Sequence, residues 1–371
     1  DDSDNLFVIG PAGNEYYINI PGDGNLLDNE YTSAPGDNTN SGTDPAAPMA
    51  SLRALLAAYD LDPGDVVWVD PGWYNLVASV EIGSADQGIT IRGPEGLGHV
   101  ATLDRNNYAF GAVILSGANA VTIRHLALTG GQYGLHVKDG SSYLTADAVT
   151  AYDNRDAGIY VADVASDHVS ISNGEFYGTT GNENTDQERG LDLRGLHPAV
   201  TDSVLYHTPG SHGEGAYVYN VSTATLTGNE AYNNATGIYV YADQFTVSGN
   251  FVHQNTTGLS LYDFSSAVYS PVFDNEAASN TNGIWSNGYE EIYENDVHDN
   301  ADVGIGTAYN YSRTIRDNEI HHNVRGVYLQ NGLVTHNRIY FNTDYGIDIY
   351  YNAGTIENNA IYGNSTGIYD R

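Results

Sequence analysis

Between residues 179 and 215 the chain gathers side chains that can carry acid–base chemistry. The polar run Thr179 to Arg189 holds Asp186, Glu188 and Arg189; Asp192 and Arg194 follow two residues apart, and His207, His212 and Glu214 close the segment. Glycoside hydrolysis uses two carboxyl groups about 5 to 9.5 Å apart, one of them raised in pKa so that it keeps a proton. Asp186, Glu188, Asp192 and Glu214 are the candidates for that pair. Arginine and histidine in the same stretch could stabilise developing charge. A solvated polar loop carrying ordinary surface charges is the plainer alternative, although loops on a rigid scaffold are where such sites usually sit.

Whether these groups meet depends on the elements that hold them. A Gly-Ile/Leu-x-Val/Leu phrase recurs about every twenty-two residues, with its glycine at Gly134, Gly158, Gly190, Gly215, Gly237, Gly258, Gly283, Gly304, Gly326, Gly346 and Gly367. A second phrase, Asn-x-Val/Ile/Ala-x-x-Asn, stands upstream of most of them, from Asn229–Asn234 to Asn359–Asn364. A period this short is one coil of a solenoid. In Gly237-Ile238-Tyr239-Val240-Tyr241 the alternation sends Ile238 and Val240 inward and the tyrosines outward. Asn and Gly suit left-handed corners, and an Asn amide can bond to the coils on either side.

Taken in register, the outward positions two and four residues after each glycine give a double aromatic stripe. It includes Tyr160, Tyr217, Tyr219, Tyr239, Tyr241, Tyr262 and Trp285, with Asp192 and Arg194 in the same columns. Exposed aromatic rows suit the faces of sugar rings. The alternative is that tyrosine favours strands and stacks on its neighbours from coil to coil. His253, His298 and His321 share one position of the Asn phrase, and paired imidazoles on neighbouring strands could bind a transition metal, although exposed strand histidines without one are commoner.

Composition narrows the partners. The formal charge of −34 reflects missing base, since Lys138 is the single lysine; nucleic acid and anionic membrane are thereby poor partners. No apolar run approaches the roughly twenty residues of a membrane span. There is no cysteine, hence no disulfide framework. Abundant Asp with little Lys fits salt adaptation or extracellular solubility, and calcium as a cofactor would leave the same bias. The chain starts at Asp1 without a signal peptide and breaks off in a coil at Gly367–Arg371, so we expect a processed module of a longer secreted or cell-surface protein, monomeric in form.

Residues 1–62 read as a loop-rich segment plus a capping helix over Pro48–Tyr59, and 63–371 as the solenoid. The run Gly36–Gly42, that helix, and Pro63-Gly64-Asp65-Val66-Val67-Trp68-Val69-Asp70-Pro71-Gly72-Trp73-Tyr74 resemble the opening of many secreted β-helix proteins, including polysaccharide lyases. With the coils, the chain resembles pectate-lyase-like right-handed parallel β-helix proteins over nearly its whole length. The resemblance implies an all-β right-handed parallel β-helix with a short N-terminal cap, and a polysaccharide as partner. In calcium-dependent lyases of that type a Lys or Arg base removes the proton beside a uronate carboxylate. Lys138 and Arg194 occupy one outward column two coils apart and are the basic candidates. The family's calcium-ligand carboxylates are not identifiable in this sequence, and the Asp-Pro-His run of alginate epimerases is absent. The expected function is therefore a polysaccharide-engaging module with lyase or hydrolase chemistry as its extension; the alternative is a non-catalytic structural or adhesin module.

Overall fold

The computed structural model describes residues 13–179, 187–206, 213–265, 268–308, 311–350 and 354–371. It is a right-handed parallel β-solenoid of about 12 turns. Each coil contributes a short strand to a 13-stranded parallel sheet, while its other strands join a continuous 25-stranded sheet that wraps the remaining faces. The strands opening at the repeated glycines pair in register: Ile238 lies beside Leu259, Leu259 beside Ile284, and Ile284 beside Ile305. Ile238, Val240, Leu259 and Leu261 are fully buried, as the alternation requires.

Two asparagine ladders border the 13-stranded sheet. In each, one Asn side-chain oxygen accepts bonds from the backbone N–H and the amide of its counterpart in the preceding coil; Asn255 N and Nδ2 donate to Asn280 Oδ1 at 2.9 and 3.1 Å. The amide also donates to a carbonyl of the preceding coil, as Asn280 does to Val252 at 2.9 Å. The asparagines from Asn229 to Asn342 are almost wholly buried, so these bonds satisfy groups that water cannot reach. The residue before the second ladder position adopts positive φ in coil after coil, at Asn233, Gln254, Ser279, Asp299, His322 and Phe341.

The repeated glycines have a different reason from the one their type suggests. None of Gly237, Gly258 or Gly283 has positive φ; a Cβ at Gly258 would stand 2.7 Å from the carbonyl oxygen of Gly283 and 2.9 Å from Val252. The repeat is a close-approach constraint between coils, and the left-handed corners fall to other residues. Gly258→Ala should lower stability by about 1–3 kcal/mol in urea unfolding. Gly83→Ala, where the added methyl meets open space, should be nearly neutral.

The helix is shorter than the apolar spacing suggests. It runs Leu52–Ala58, with Ser51 accepting a bond from Ala54 N as its N-cap. Pro48 to Ala50 lie outside it, because Met49 bridges in parallel to Ile18 and its N–H bonds to the Tyr17 carbonyl. Leu52 and Leu55 are buried in the same core as Tyr16, Ile18 and Val67. Residues ahead of the helix also supply the first rung, since Glu15–Ile18 pairs in parallel with Val66–Val69.

Candidate functional site

The strand Arg189–Leu193 lies between Ala157–Val161 and the strand that begins at Glu214, with Asp192 beside Tyr160 on one side and Tyr217 on the other. Asp192 is two residues past Gly190 and so points outward, yet its side chain is only 6% exposed because two arginines close over it. Arg189 donates to Asp192 at 2.7 Å and to Glu214 at 2.9 Å. Arg194 donates to both Asp192 oxygens, at 2.9 and 3.0 Å. The guanidinium of Arg189 lies 4.3 Å over the Tyr217 ring, and that of Arg194 5.5 Å from Tyr160. Arg189, Asp192, Arg194 and Glu214, four of the candidates, are thus in one connected group.

The electrostatics of the group are those of a closed network. Two guanidinium groups face two carboxylates. The Asp192 bond holds the Arg194 proton more firmly than usual. Burial opposes the charge of Arg189, but Asp192 and Glu214 outweigh it and raise its pKa. A base must shed its proton to act, and both arginines here are held charged.

The remaining candidates scatter. Lys138 shares the Arg194 column, two coils away, but its ammonium pairs with Asp139 at 3.1 Å. Glu188 binds the previous coil through its backbone, donating to the Arg155 carbonyl at 3.3 Å. Asp186 and His212 lie outside the described residues.

The tyrosine stripe exists, but its rings turn their faces toward one another. Tyr217 stacks on Tyr239 at 4.9 Å, Tyr219 on Tyr241 at 5.0 Å, and Tyr241 on Tyr262 at 4.9 Å. Strand spacing of about 4.8 Å forces this geometry on aromatic residues in one column. Edges, more than faces, therefore look outward. The column Tyr217-Tyr239-Ser260-Trp285 interrupts the pattern. Ser260 lies between Tyr239 and Trp285 in the register. Trp285 leans away from it, over Gly306, where a Cβ would stand 2.3 Å from the indole. Among the described residues no ring stacks on Tyr239 or Trp285 from the Ser260 side.

Three groups escaped the sequence reading. The fourth position of the Asn phrase, from which only the histidines stood out, builds a second ladder on the 13-stranded sheet: Tyr152, Tyr177, Tyr206, Tyr232 and His253 stack in succession at 4.9 to 5.3 Å. After Ala278 breaks it, His298, His321, Tyr340 and Tyr362 continue it. His253, His298 and His321 each meet a carboxylate of the preceding coil, Glu230, Glu276 and Asp296. The second group is buried: Glu290 accepts from Asp263 N, Ser286 Oγ and Gly288 N. Burial pushes its carboxyl up to about 7 and that of Asp263 up to about 6. The third is a corner cluster of Asp167, His168 and His197, whose ligand-type atoms lie within 4.8 Å of one another. Glu290 and His168 carried no repeat signal that could mark them.

Solved structures place the fold. The chain is similar to the mannuronan C-5 epimerase AlgE4 A-module of Azotobacter vinelandii, with 17% identity, TM-score 0.55, and coverage of 95% of this chain and 97% of that one. It is also similar to the catalytic unit of a GH87 α-1,3-glucanase from Streptomyces thermodiastaticus, with 14% identity, TM-score 0.54, and coverage of 97% and 70%. At these identities the likeness is one of fold. No curated protein matches the sequence. The family model described as periplasmic copper-binding protein (NosD) matches residues 162–305 and 197–371, which together span more than half of the chain. The coils that build the arginine–carboxylate network and the aromatic columns are thus those of the NosD family of right-handed β-helix proteins, to which this chain belongs.

Proposed function

We propose that the protein binds a neutral polysaccharide laid along the solenoid axis, outside the cytoplasm, without cleaving it at this face. The observation that carries the reading is the gap at Ser260. Backbones two coils apart are separated by about 9.6 Å on strand spacing, and the lean of Trp285 over Gly306 widens the space between the rings beyond the roughly 7–8 Å that one sugar ring held between two aromatic faces needs, so a sugar can stack on either face. Tyr239 and Trp285 thus offer the open faces that the stacked tyrosines lack. A chain carrying −34 formal charges repels polyanions, which favours an uncharged glycan. The periplasmic description of the family and the polysaccharide-acting proteins that share the fold agree with this setting. The arginine–carboxylate network suits recognition of hydroxyl groups more than turnover, because Asp192 and Glu214 both lie against Arg189.

Affinity electrophoresis against neutral and acidic polysaccharides tests the proposal. Retention should appear on a neutral glycan and weaken at least about tenfold in Trp285→Ala, the loss expected for one stacking face. Ser260→Trp, which fills the gap without touching the core, should abolish it. Retention unchanged in both variants, or none on any neutral glycan by the folded protein, would leave the structural-module reading in its place.

A further inference from the structure

The corner that links the strand Ala157–Val161 to Ser170–Ser172 carries Asp167 and His168, and the corresponding corner of the next coil carries His197. Solenoid stacking brings the three together. Asp167 Oδ1 lies 2.5 Å from His197 Nδ1 and 2.9 Å from His168 Nδ1, and it also accepts the backbone N–H of His168 at 2.8 Å. The imidazole rings stand 5.0 Å apart at 37°, so both Nδ1 atoms converge on one oxygen without the rings stacking flat. Tyr143 stacks on the outer side of His168 at 5.0 Å, and Asp167 N donates to Ser142 Oγ, which hold the donors in place. Two imidazole nitrogens and one carboxylate, open to solvent on one side, are the donor set of a borderline divalent transition cation, and calcium would need more oxygen ligands.

We propose that Asp167, His168 and His197 form a site for such a cation, with copper(II) bound more tightly than nickel(II) or zinc(II). The 2.9 Å separation of His168 Nδ1 from the carboxylate oxygen matches neighbouring ligands at right angles around a metal held at about 2.0–2.1 Å, and the 2.5 Å hydrogen bond of His197 has only to lengthen by a few tenths of an ångström when the ion takes the proton's place. An ion here replaces the protons the two rings now share with the carboxylate, while water completes its coordination. The site is separate from the polysaccharide proposal, lying at a corner beyond the aromatic columns. The family description mentions copper without residues; these three supply them.

Titration of the chelator-treated protein with copper(II), followed by calorimetry and by the electron paramagnetic resonance of the bound ion, tests the assignment. The intact protein should bind with hyperfine splitting from two imidazole nitrogens. His197→Ala and His168→Ala should each weaken the tight phase at least tenfold and remove one nitrogen from the spectrum, while Asp167→Asn should weaken it with both nitrogens kept. Both histidines are substantially exposed, so the alanine variants should melt like the parent. The rival site is the pair His321 and His322, whose Nδ1 atoms lie 2.7 Å apart. If His321→Ala/His322→Ala removes the tight phase, or if the corner variants bind copper as the parent does, the assignment is overturned.

Discussion

Asn280→Ala should destabilise the protein by about 3–5 kcal/mol, far more than a surface asparagine would. Its side-chain oxygen accepts from Asn255 N and Asn255 Nδ2, and its amide donates to Val252 O and to Asn300 Oδ1. Asn280 is 1% exposed and Asn255 5%, so truncation leaves a backbone N–H and a carbonyl without partner or water. Each such orphan costs about 1–3 kcal/mol. Asn364, at the far end of the same ladder, likewise accepts from Asn342 N and Nδ2 and donates to Ile339 O and Tyr362 O, but it lies in a partly exposed coil where water can reach the freed carbonyls, so Asn364→Ala should cost less, about 1–2 kcal/mol. Urea unfolding of both variants, read by far-ultraviolet circular dichroism, checks the contrast. Equal losses at the two positions would mean that the ladder is decoration on a solenoid held by its aliphatic interior alone.

The second large effect is on pH. Glu290 is fully buried and its carboxyl is pushed up to about 7 by that burial, with Asp263 beside it up to about 6. In the unfolded chain the same groups titrate near 4.3 and 3.9. Between the two ranges the native state keeps protons that the unfolded state has lost, so stability is highest at the acid side, falls as pH rises from about 4 to about 7, and levels off above that. From Glu290 alone the loss between pH 5 and pH 8 should be about 3 kcal/mol. The raised pKa of His298, where bonds and charges from Asp299, Asp296 and Glu276 outweigh its burial, works in the same direction. Falling net charge at lower pH adds to it as well. Glu290→Gln isolates the buried term: its stability profile from pH 5 to 8 should be flatter than the parent's by that amount. Identical slopes would remove Glu290 as the cause.

The Asn phrases and the glycine spacing determined coil length, register and the buried column of Ile, Val and Leu, because a solenoid repeats one local solution and each coil contacts only its neighbours. Register in turn brought Arg189, Asp192, Arg194 and Glu214 onto one face. Periodicity speaks only to which residues share a column, and three outcomes lay beyond it. Ring orientation came from the strand spacing, which turns a row of tyrosines into a stack and leaves open faces where Ser260 breaks it. The ionic state of the network came from side-chain reach, since Arg189 spans two carboxylates whose nearness alone had suggested an acid–base pair. The buried carboxyl of Glu290, on the first residue of the strand Glu290–Tyr293, takes one of its bonds from the turn before it, and the corner cluster of Asp167, His168 and His197 lies in irregular turns. There the backbone leaves the repeat, and only the folded chain decides what lies beside what.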